Sequence, residues 1–187
     1  MKIWLFIGVL SMTSMSCLLR VATPSTESAQ TKDLTALSDS DLREVTIAME
    51  RTGCYGDCPS YVVTIKGDGT VEYIGKENVS VKGTREGTIK LETLKKLMSD
   101  FASARFLSIS NDYSGDHCRC GLCTDMPTAI TTLKVKETNH SVTHYYGCRC
   151  APRSLFDLET AIDKSTNVEQ WTGDVSKNGP FGTTCTN

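Results

Sequence analysis

The sequence lacks an excess of charge of either sign. Its 187 residues include 20 Lys and Arg against 22 Asp and Glu, a formal net charge of -2 at pH 7. Nucleic-acid-binding proteins need a basic surface to meet the phosphates, so this balance argues against that class. The hydrophobic fraction of 39% argues against disorder along the whole chain. The length suits one ordinary domain plus a tail.

Recognisable catalytic motifs are also lacking. The chain contains no Gly-x-Ser-x-Gly elbow, no P-loop, no His-Glu-x-x-His motif and no Gly-x-Gly-x-x-Gly fingerprint. Asp112, Asp116 and Asp125 could form a carboxylate pair in one loop, but solvated loop acids are the simpler interpretation. We therefore expect no catalytic residue and no cofactor, and the sequence does not name a substrate.

Cysteine is what the chain does have, with nine among 187 residues. That content is high for a cytosolic protein, because reducing conditions there keep thiols unpaired. It predicts a disulfide-bonded protein of an oxidising compartment. With Cys17 lost or lipidated, an even number of cysteines remains for pairing.

The N-terminal segment predicts export. Lys2 precedes an apolar run that ends before Arg20, which is the form of a secretory signal. The run is shorter than the roughly 20 residues of a spanning helix. We expect a signal peptide over residues 1–22, with an uncleaved signal-anchor as the alternative, and a periplasmic or extracellular location.

A lipoprotein is a further possibility. Residues 14–17 place a small Ser16 before Cys17, as in a bacterial lipobox, although an aliphatic residue is missing at Ser14. Cys17 is therefore a candidate for lipidation. Residues 23–40 are predicted to form a flexible linker, because Pro, Ser and Thr are frequent there and no apolar period is visible.

Hydrophobic periodicity predicts one α+β domain over residues 41–173, with a polar tail over 174–187. Alternating apolar residues indicate a strand ending near Arg51 and two hairpins, turned at residues 67–69 and 137–139. Helical spacing indicates helices near residues 91–101 and after Pro152, which suits a helix N1 position. Trp171 is expected to pack against the sheet. We expect an antiparallel sheet built from hairpins, with two helices packed on one face.

The strand sequences carry a family resemblance. The runs ERTGCYGDCPSY (residues 50–61), GDGTV (67–71), TDMPT (124–128) and EQW (169–171), with the strand around His144 and Tyr145, resemble the bacterial domain-of-unknown-function family 6438. The resemblance covers about residues 44–173. It implies an exported or lipoprotein-type single domain with no known activity. The later cysteines depart from the family pattern, so the resemblance says nothing of them.

Cys54 and Cys58 bracket a short loop between two strands. In an oxidising compartment they predict a local disulfide that pins the turn. An alternative is a copper site, because Cys-x3-Cys-Pro with a distant histidine resembles the Sco-type assembly proteins and soft sulfur suits Cu(I). His140 and His144 are the candidate third ligands. A catalytic redox role is a further alternative.

A second cysteine group flanks the later hairpin. If that hairpin is centred near Thr138, the position opposite Cys148 is Pro127 or Thr128, and Cys150 faces Asp125 or Met126. Both Cys-Arg-Cys triplets then converge at the open end of the hairpin. Two disulfides between the segments are predicted, for example one joining Cys123 to Cys150. The cysteines of this group, with the tail cysteine, are Cys118, Cys120, Cys123, Cys148, Cys150 and Cys185.

Other pairings and a metal site stay open for this group. Cys185 is a candidate partner of Cys118 or Cys120. A tetrahedral zinc site would use four of the five converging thiolates, with His117 as a possible ligand. Taken together, the sequence predicts an exported, disulfide-stapled module that binds an envelope protein or small ligand. The alternative function is a zinc, copper or thiol-redox protein.

Overall fold

Alternating apolar residues form the strands of a single sheet. The computed structural model describes residues 34–173. Within these residues the strands are β1 Thr46–Arg51, β2 Ser60–Lys66, β3 Thr70–Glu77, β4 Gly83–Thr88, β5 Asp112–Tyr113, β6 Thr128–Val135 and β7 Thr138–Tyr145. The helices are α1 Asp39–Arg43, α2 Leu91–Ser103, α3 Arg153–Thr166 and α4 Glu169–Thr172.

The sheet has the order β4-β3-β2-β1-β6-β7-β5. All neighbouring strands are antiparallel except β5, which pairs in parallel with the end of β7. The predicted α+β class with an antiparallel sheet of hairpins is confirmed. The short parallel strand β5 was not predicted, because two residues are too few to show a period.

One face of the sheet forms the core with α2 and α3. Inward residues of β1 such as Ile47 and Met49 are fully buried, and the residues between them are half-buried. Helix α2 buries Leu94, Leu97 and Phe101 against this face. Trp171 of α4 stacks on the ring of Tyr73 at 4.9 Å, so the predicted packing of Trp171 against the sheet is confirmed.

The glycines of the β2–β3 turn have two different roles. Gly69 has φ +88°, the left-handed region that a side chain rarely adopts. Gly67 has no such requirement, but a Cβ built there would overlap the carbonyl oxygen of Leu42. The first turn glycine therefore allows α1 to approach the hairpin, and only the second supplies the predicted positive φ.

Two predicted details are wrong. The second hairpin turns at Lys136 and Glu137, between β6 and β7, and not at residues 137–139. Lys136 takes a left-handed φ of 50°, which permits a two-residue turn. Pro152 is the N-cap of α3 and not its first helical residue.

Some sequence predictions fall outside the described residues. These are the signal peptide, Cys17, most of the linker, the tail over 174–187 and Cys185. At the start of the described part, Leu34 is buried in the core, ahead of the expected domain boundary at residue 41. Among residues 34–173, no helix has both the length and the apolar character needed to cross a bilayer.

Candidate functional site at the cystine end

Three disulfides that join pairs of residues within 34–173 lie at one end of the sheet. Cys54–Cys58 closes the loop between β1 and β2, while Cys118–Cys148 and Cys120–Cys150 join the segment before β6 to the segment after β7. The Cα atoms of each pair are 5.5 Å apart, a usual separation for a disulfide. We call the loops 52–59, 114–127 and 146–152 the cystine end.

The register of the sheet brings these loops together. Arg51, the last residue of β1, pairs with Ala129 near the start of β6, and Ala129 pairs with His144 near the end of β7. The chain therefore leaves β1, enters β6 and leaves β7 at the same end of the sheet. The amide of Tyr55 donates to the carbonyl of Asp125 at 3.3 Å, which links the first loop to the second.

The predicted opposition of Cys148 to Pro127 or Thr128, and of Cys150 to Asp125 or Met126, is wrong. Because the hairpin turns at residues 136 and 137, the pairing is displaced by three residues, and Thr128 faces Tyr145 instead of Cys148. Beyond the sheet, Leu122 forms an isolated bridge with Cys148. The convergence of the two triplets is nevertheless confirmed.

The disulfide connectivity also differs from the suggested example. Cys150 pairs with Cys120 and not with Cys123, and Cys118 pairs with Cys148, so neither Cys118 nor Cys120 takes Cys185. The amide of Cys123 donates to the carbonyl of Gly147 at 2.9 Å. This bond holds Cys123 beside Gly147, ahead of the second triplet. Cys123 is also disulfide-bonded.

Burial distinguishes Cys118–Cys148 from Cys120–Cys150, which we call the two stapling disulfides. Cys118 and Cys148 are 7% and 6% exposed, whereas Cys120 is exposed and Cys150 half-buried. The sulfur atoms of Cys118, Cys148 and Cys150 all lie within 4.8 Å of one another. The sulfur of Cys150 in the exposed disulfide therefore lies close to both sulfurs of the buried one.

Large apolar side chains are exposed on this end. Tyr55, inside the loop closed by Cys54–Cys58, is 87% exposed, and Leu122 is 46% exposed. The side chain of Asn78 donates to the carbonyls of Gly56 and Cys58 at 3.3 Å. The tyrosine is therefore presented on a loop that is fastened from both sides.

A polar groove lies beside the same loop. Its volume is about 440 Å³. Asp57 from the loop, Asn78 from the β3–β4 connection and Thr172 of α4 contribute to its walls, together with Val79, Ser80 and Lys82. The exposed Tyr55 is therefore close in sequence to Asp57, which lines the groove.

Under the cystine end lies a group of buried and half-buried polar side chains, which we call the buried ion cluster. Its strand members belong to one cross-strand row, in which Tyr61 pairs with Arg51, Arg51 with Ala129, and Ala129 with His144. All four residues are buried. The members are Arg51, Tyr61, His144, Tyr146, Glu159 and Asp163.

Helix α3 supplies the acids of the cluster. Arg51 donates to the Asp163 carboxylate through Nε at 3.0 Å and Nη2 at 2.7 Å, and Tyr61 donates to it at 2.7 Å. Glu159, which is fully buried, accepts from the Tyr146 hydroxyl at 2.8 Å. It also lies 3.0 Å from Nδ1 of His144.

Arg51 and Tyr146 connect the two halves of the cluster. A guanidinium nitrogen of Arg51 bonds the Tyr146 hydroxyl, and its Cζ lies 5.3 Å from the centre of the Tyr146 ring. The groups of the cluster therefore bond one another. Their arrangement anchors α3 beneath the loops, because breaking any one bond would leave a buried polar group unpaired.

Burial and charge shift the pKa values in this cluster. Burial lowers the pKa of Arg51, but Asp163 and the other neighbours outweigh it, so the pKa is raised well above the ordinary value. Burial raises the pKa of Asp163, with Arg51 opposing. Burial also raises the pKa of Tyr61 and of Tyr146. Both phenols therefore stay protonated near neutral pH and act as donors.

Sequence reasoning missed Arg51, Glu159 and Asp163. Arg51 continues the inward series of Ile47 and Met49 in β1. Its position in this alternation could have predicted that its side chain is buried. Glu159 and Asp163 lie one turn apart beside the buried Leu158 and Ile162 of α3. A charged residue on an apolar stripe predicts a buried pair, but not which partner it meets.

The copper candidates are not brought together. Cys54 and Cys58 are disulfide-bonded, and His144 faces Glu159. His140 packs edge-on against Phe106 at 5.2 Å, while His117 is 3.1 Å from Asp112 in an exposed pair. Within residues 34–173, the one cluster of Cys, His, Asp or Glu close enough to share an ion is Cys118, Cys148 and Cys150. A metal there requires reduced thiols.

The fold and its disulfides define a disulfide-bonded α+β domain of one mostly antiparallel sheet, covered on one face by helices. The family model described as Domain of unknown function (DUF6438) matches residues 45–166, and the chain belongs to this family. No curated protein matches the chain significantly.

Proposed function

We propose that the protein is an exported binding module that presents the cystine end to a partner protein of the cell envelope. The observation that carries the proposal is the exposure of Tyr55 on a loop that a disulfide and two hydrogen bonds hold in place. Tyrosine on a rigid loop supplies a large contact area at a small entropic cost, and it is enriched at interface hot spots.

The chemistry of the surface supports a protein partner. Leu122 adds a second exposed apolar group, and Arg119 and Arg149 are exposed beside it. Asp57 and Lys82 line the neighbouring polar groove. An apolar centre with a polar rim is the common anatomy of a protein interface.

Export is supported by the cysteine chemistry. The three described disulfides persist in oxidising compartments and are rare in the cytosol. The N-terminal signal-like segment supports the same location. Intact mass of the protein from the envelope fraction tests both points, because it reports the N-terminus, any lipid on Cys17 and the number of alkylatable thiols.

The binding role is tested by photo-crosslinking in the source cell. A photoreactive residue at Leu122 is expected to give a discrete adduct that disappears when Tyr55→Ala is added. A photoreactive residue at Glu137, in the β6–β7 turn at the opposite end of the hairpin, serves as the control position. Equal adducts from both positions, or an adduct at 122 that survives Tyr55→Ala, would overturn the proposal.

A metal or thiol-redox function is the second candidate. It is favoured by the three sulfur atoms within 4.8 Å of one another, since soft thiolates bind Zn and Cu(I). It predicts a protein that carries a metal ion and exposes thiols after chelation. Cysteines that stay unreactive until reductant is added, with no metal mass, would exclude the metal form.

A further inference from the structure

The two stapling disulfides have sulfur atoms within 4.8 Å of one another but differ in accessibility. We infer that they form a thiol-exchange site, where an external thiol opens the exposed Cys120–Cys150 bond and Cys150 then attacks the buried Cys118–Cys148 bond. The inference goes beyond the proposed binding role and does not depend on it. The substrate class is a thiol, either a small molecule or a protein.

Exposure selects the sulfur that is attacked first. Cys120 is exposed, whereas Cys150 is half-buried, so an external thiolate reaches Sγ of Cys120. The Sγ–Sγ bond breaks, a mixed disulfide forms on Cys120, and the electron pair leaves on Cys150.

Proximity selects the second step. The Cys150 sulfur lies within 4.8 Å of the sulfurs of Cys118 and Cys148. The Cys150 thiolate attacks one of them, forms a new disulfide, and releases the other as a thiolate that takes a proton from water. A second external thiol then attacks the mixed disulfide and frees Cys120. The sum is two external thiols oxidised to one disulfide, and one protein disulfide reduced to two thiols.

The Cys54–Cys58 disulfide provides an internal control. Cys54 is half-buried and Cys58 buried, so the accessibility of this pair lies between those of the two stapling pairs. It belongs to no group of three close sulfurs in the described part of the chain. A thiol generated at Cys54 therefore has no neighbouring disulfide to attack, and exchange should be confined to the other pair.

The direct test uses the full chain with Cys120→Ala. The variant keeps Cys118–Cys148 and leaves one thiol at Cys150. After incubation at about pH 8.5, where an ordinary thiol is partly ionised, acid quenching, alkylation and peptide mapping locate that thiol. We expect the label to leave Cys150 in roughly half of the molecules or more. It should appear on Cys118 or Cys148. In Cys58→Ala the label should stay on Cys54.

A second measurement covers the case in which Cys120→Ala does not fold. The wild-type protein is titrated with glutathione, quenched and mapped. The expected species carry glutathione on Cys120 and a disulfide from Cys150 to Cys118 or Cys148. Independent reduction of the two native pairs, with no crossed species, would overturn the inference. Released thiols that resist alkylation until a chelator is added would also overturn it, because they would indicate a metal site.

Discussion

At the scale of single residues, Arg51 is the residue that connects the polar side chains of the buried ion cluster. It is 2% exposed and bonds Asp163, which is on α3, and Tyr146, which follows β7. An ion pair in this position is weak evidence for net stability, since desolvation offsets attraction. Removing Arg51 is different, because the largely enclosed Asp163 carboxylate keeps the Tyr61 hydroxyl as a donor but loses its opposite charge.

Arg51→Ala is therefore expected to lower the free energy of unfolding by about 3–5 kcal/mol. Lys76→Ala is the matched control, because Lys76 pairs with Glu50 at exposed positions of the sheet and should cost at most about 1 kcal/mol. Denaturant unfolding of the oxidised proteins measures both. Similar losses for the two variants would contradict the role assigned to the buried cluster.

Thr131 offers a change in the opposite direction. Its side chain is fully buried on β6, and its hydroxyl has no hydrogen-bond partner among residues 34–173. Thr131→Val keeps the shape and removes the unpaired group, so we expect stabilisation of roughly 1 kcal/mol. Thr166→Val is the control, since the buried Thr166 hydroxyl donates to Ile162 at 2.9 Å and its loss should destabilise. If both variants change the free energy of unfolding in the same direction, this account is refuted.

His140 gives the protein a predicted pH dependence. Burial lowers the pKa of this ring, with a hydrogen bond to the Ile109 backbone opposing, and Nε2 is buried without a partner in the described part of the chain. The unfolded state therefore binds more protons than the native state between the lowered pKa and about 6.5. Stability should fall as pH drops through that window.

The comparison with His140→Gln isolates this contribution. The difference in free energy of unfolding between wild type and variant should be constant above about pH 6.5. Below that pH the wild type should lose stability relative to the variant. Unfolding curves at several pH values, with the same variant series measured for His117→Gln, check the assignment. A constant difference at all pH values would exclude His140 as the source.

At the scale of elements, the β6–β7 hairpin and the segment before it depend on one glycine. A Cβ built at Gly147 would overlap the carbonyl oxygen of Cys123 and the ring of Tyr145. That carbonyl accepts from the Tyr145 hydroxyl at 2.7 Å, so neither group is free to move aside. The close approach is what places the second cysteine triplet beside the first.

Gly147→Ala is therefore expected to destabilise the protein by about 1–3 kcal/mol and to lower the yield of the Cys118–Cys148 bond. Gly53→Ala is the control, because nothing lies within 4 Å of a Cβ built there, and it should change stability by less than about 0.5 kcal/mol. Disulfide mapping and denaturant unfolding report the two effects. A Gly147→Ala protein with native pairing and stability would contradict the close-packing argument.

At the scale of the whole molecule, the two stapling disulfides close nearly the same loop. Each joins residues 30 apart in sequence, whereas Cys54 and Cys58 are 4 apart. In the chain-entropy model the long loop contributes about 3.7 kcal/mol and the short one about 2 kcal/mol. The second staple adds little, because the first already restricts the unfolded chain.

We expect removal of Cys120–Cys150 by double Ala substitution to cost less than about 1 kcal/mol, and removal of both staples about 3.7 kcal/mol. The losses should thus be strongly non-additive. Denaturant unfolding of the two variants and of the Cys54/Cys58 double variant measures this. Equal, additive losses would show that each bond acts through local packing rather than through the loop.

Much of the architecture was open to prediction from residue patterns. Two features encode a local period: the inward series Ile47 and Met49 of β1, and the apolar stripe of α2. The glycines around Asp68 mark a turn. Local period and turn chemistry follow from backbone sterics, so they predict strands, helices and the α+β class directly. The cysteine content likewise predicted disulfides, which three described pairs confirm.

Connectivity and partners were decided only by the tertiary structure. A shift of the β6–β7 turn to Lys136 and Glu137 altered which residues oppose one another at the hairpin base, because register is set by turn geometry. Beyond the sheet the pairing shifts again, since Leu122 bridges Cys148, and Cys150 meets Cys120. The pairing of Arg51 with Asp163 spans distant parts of the chain, and no local period encodes it. Sequence determined which residues turn inward; the docking of α3 on the sheet determined which of them touch.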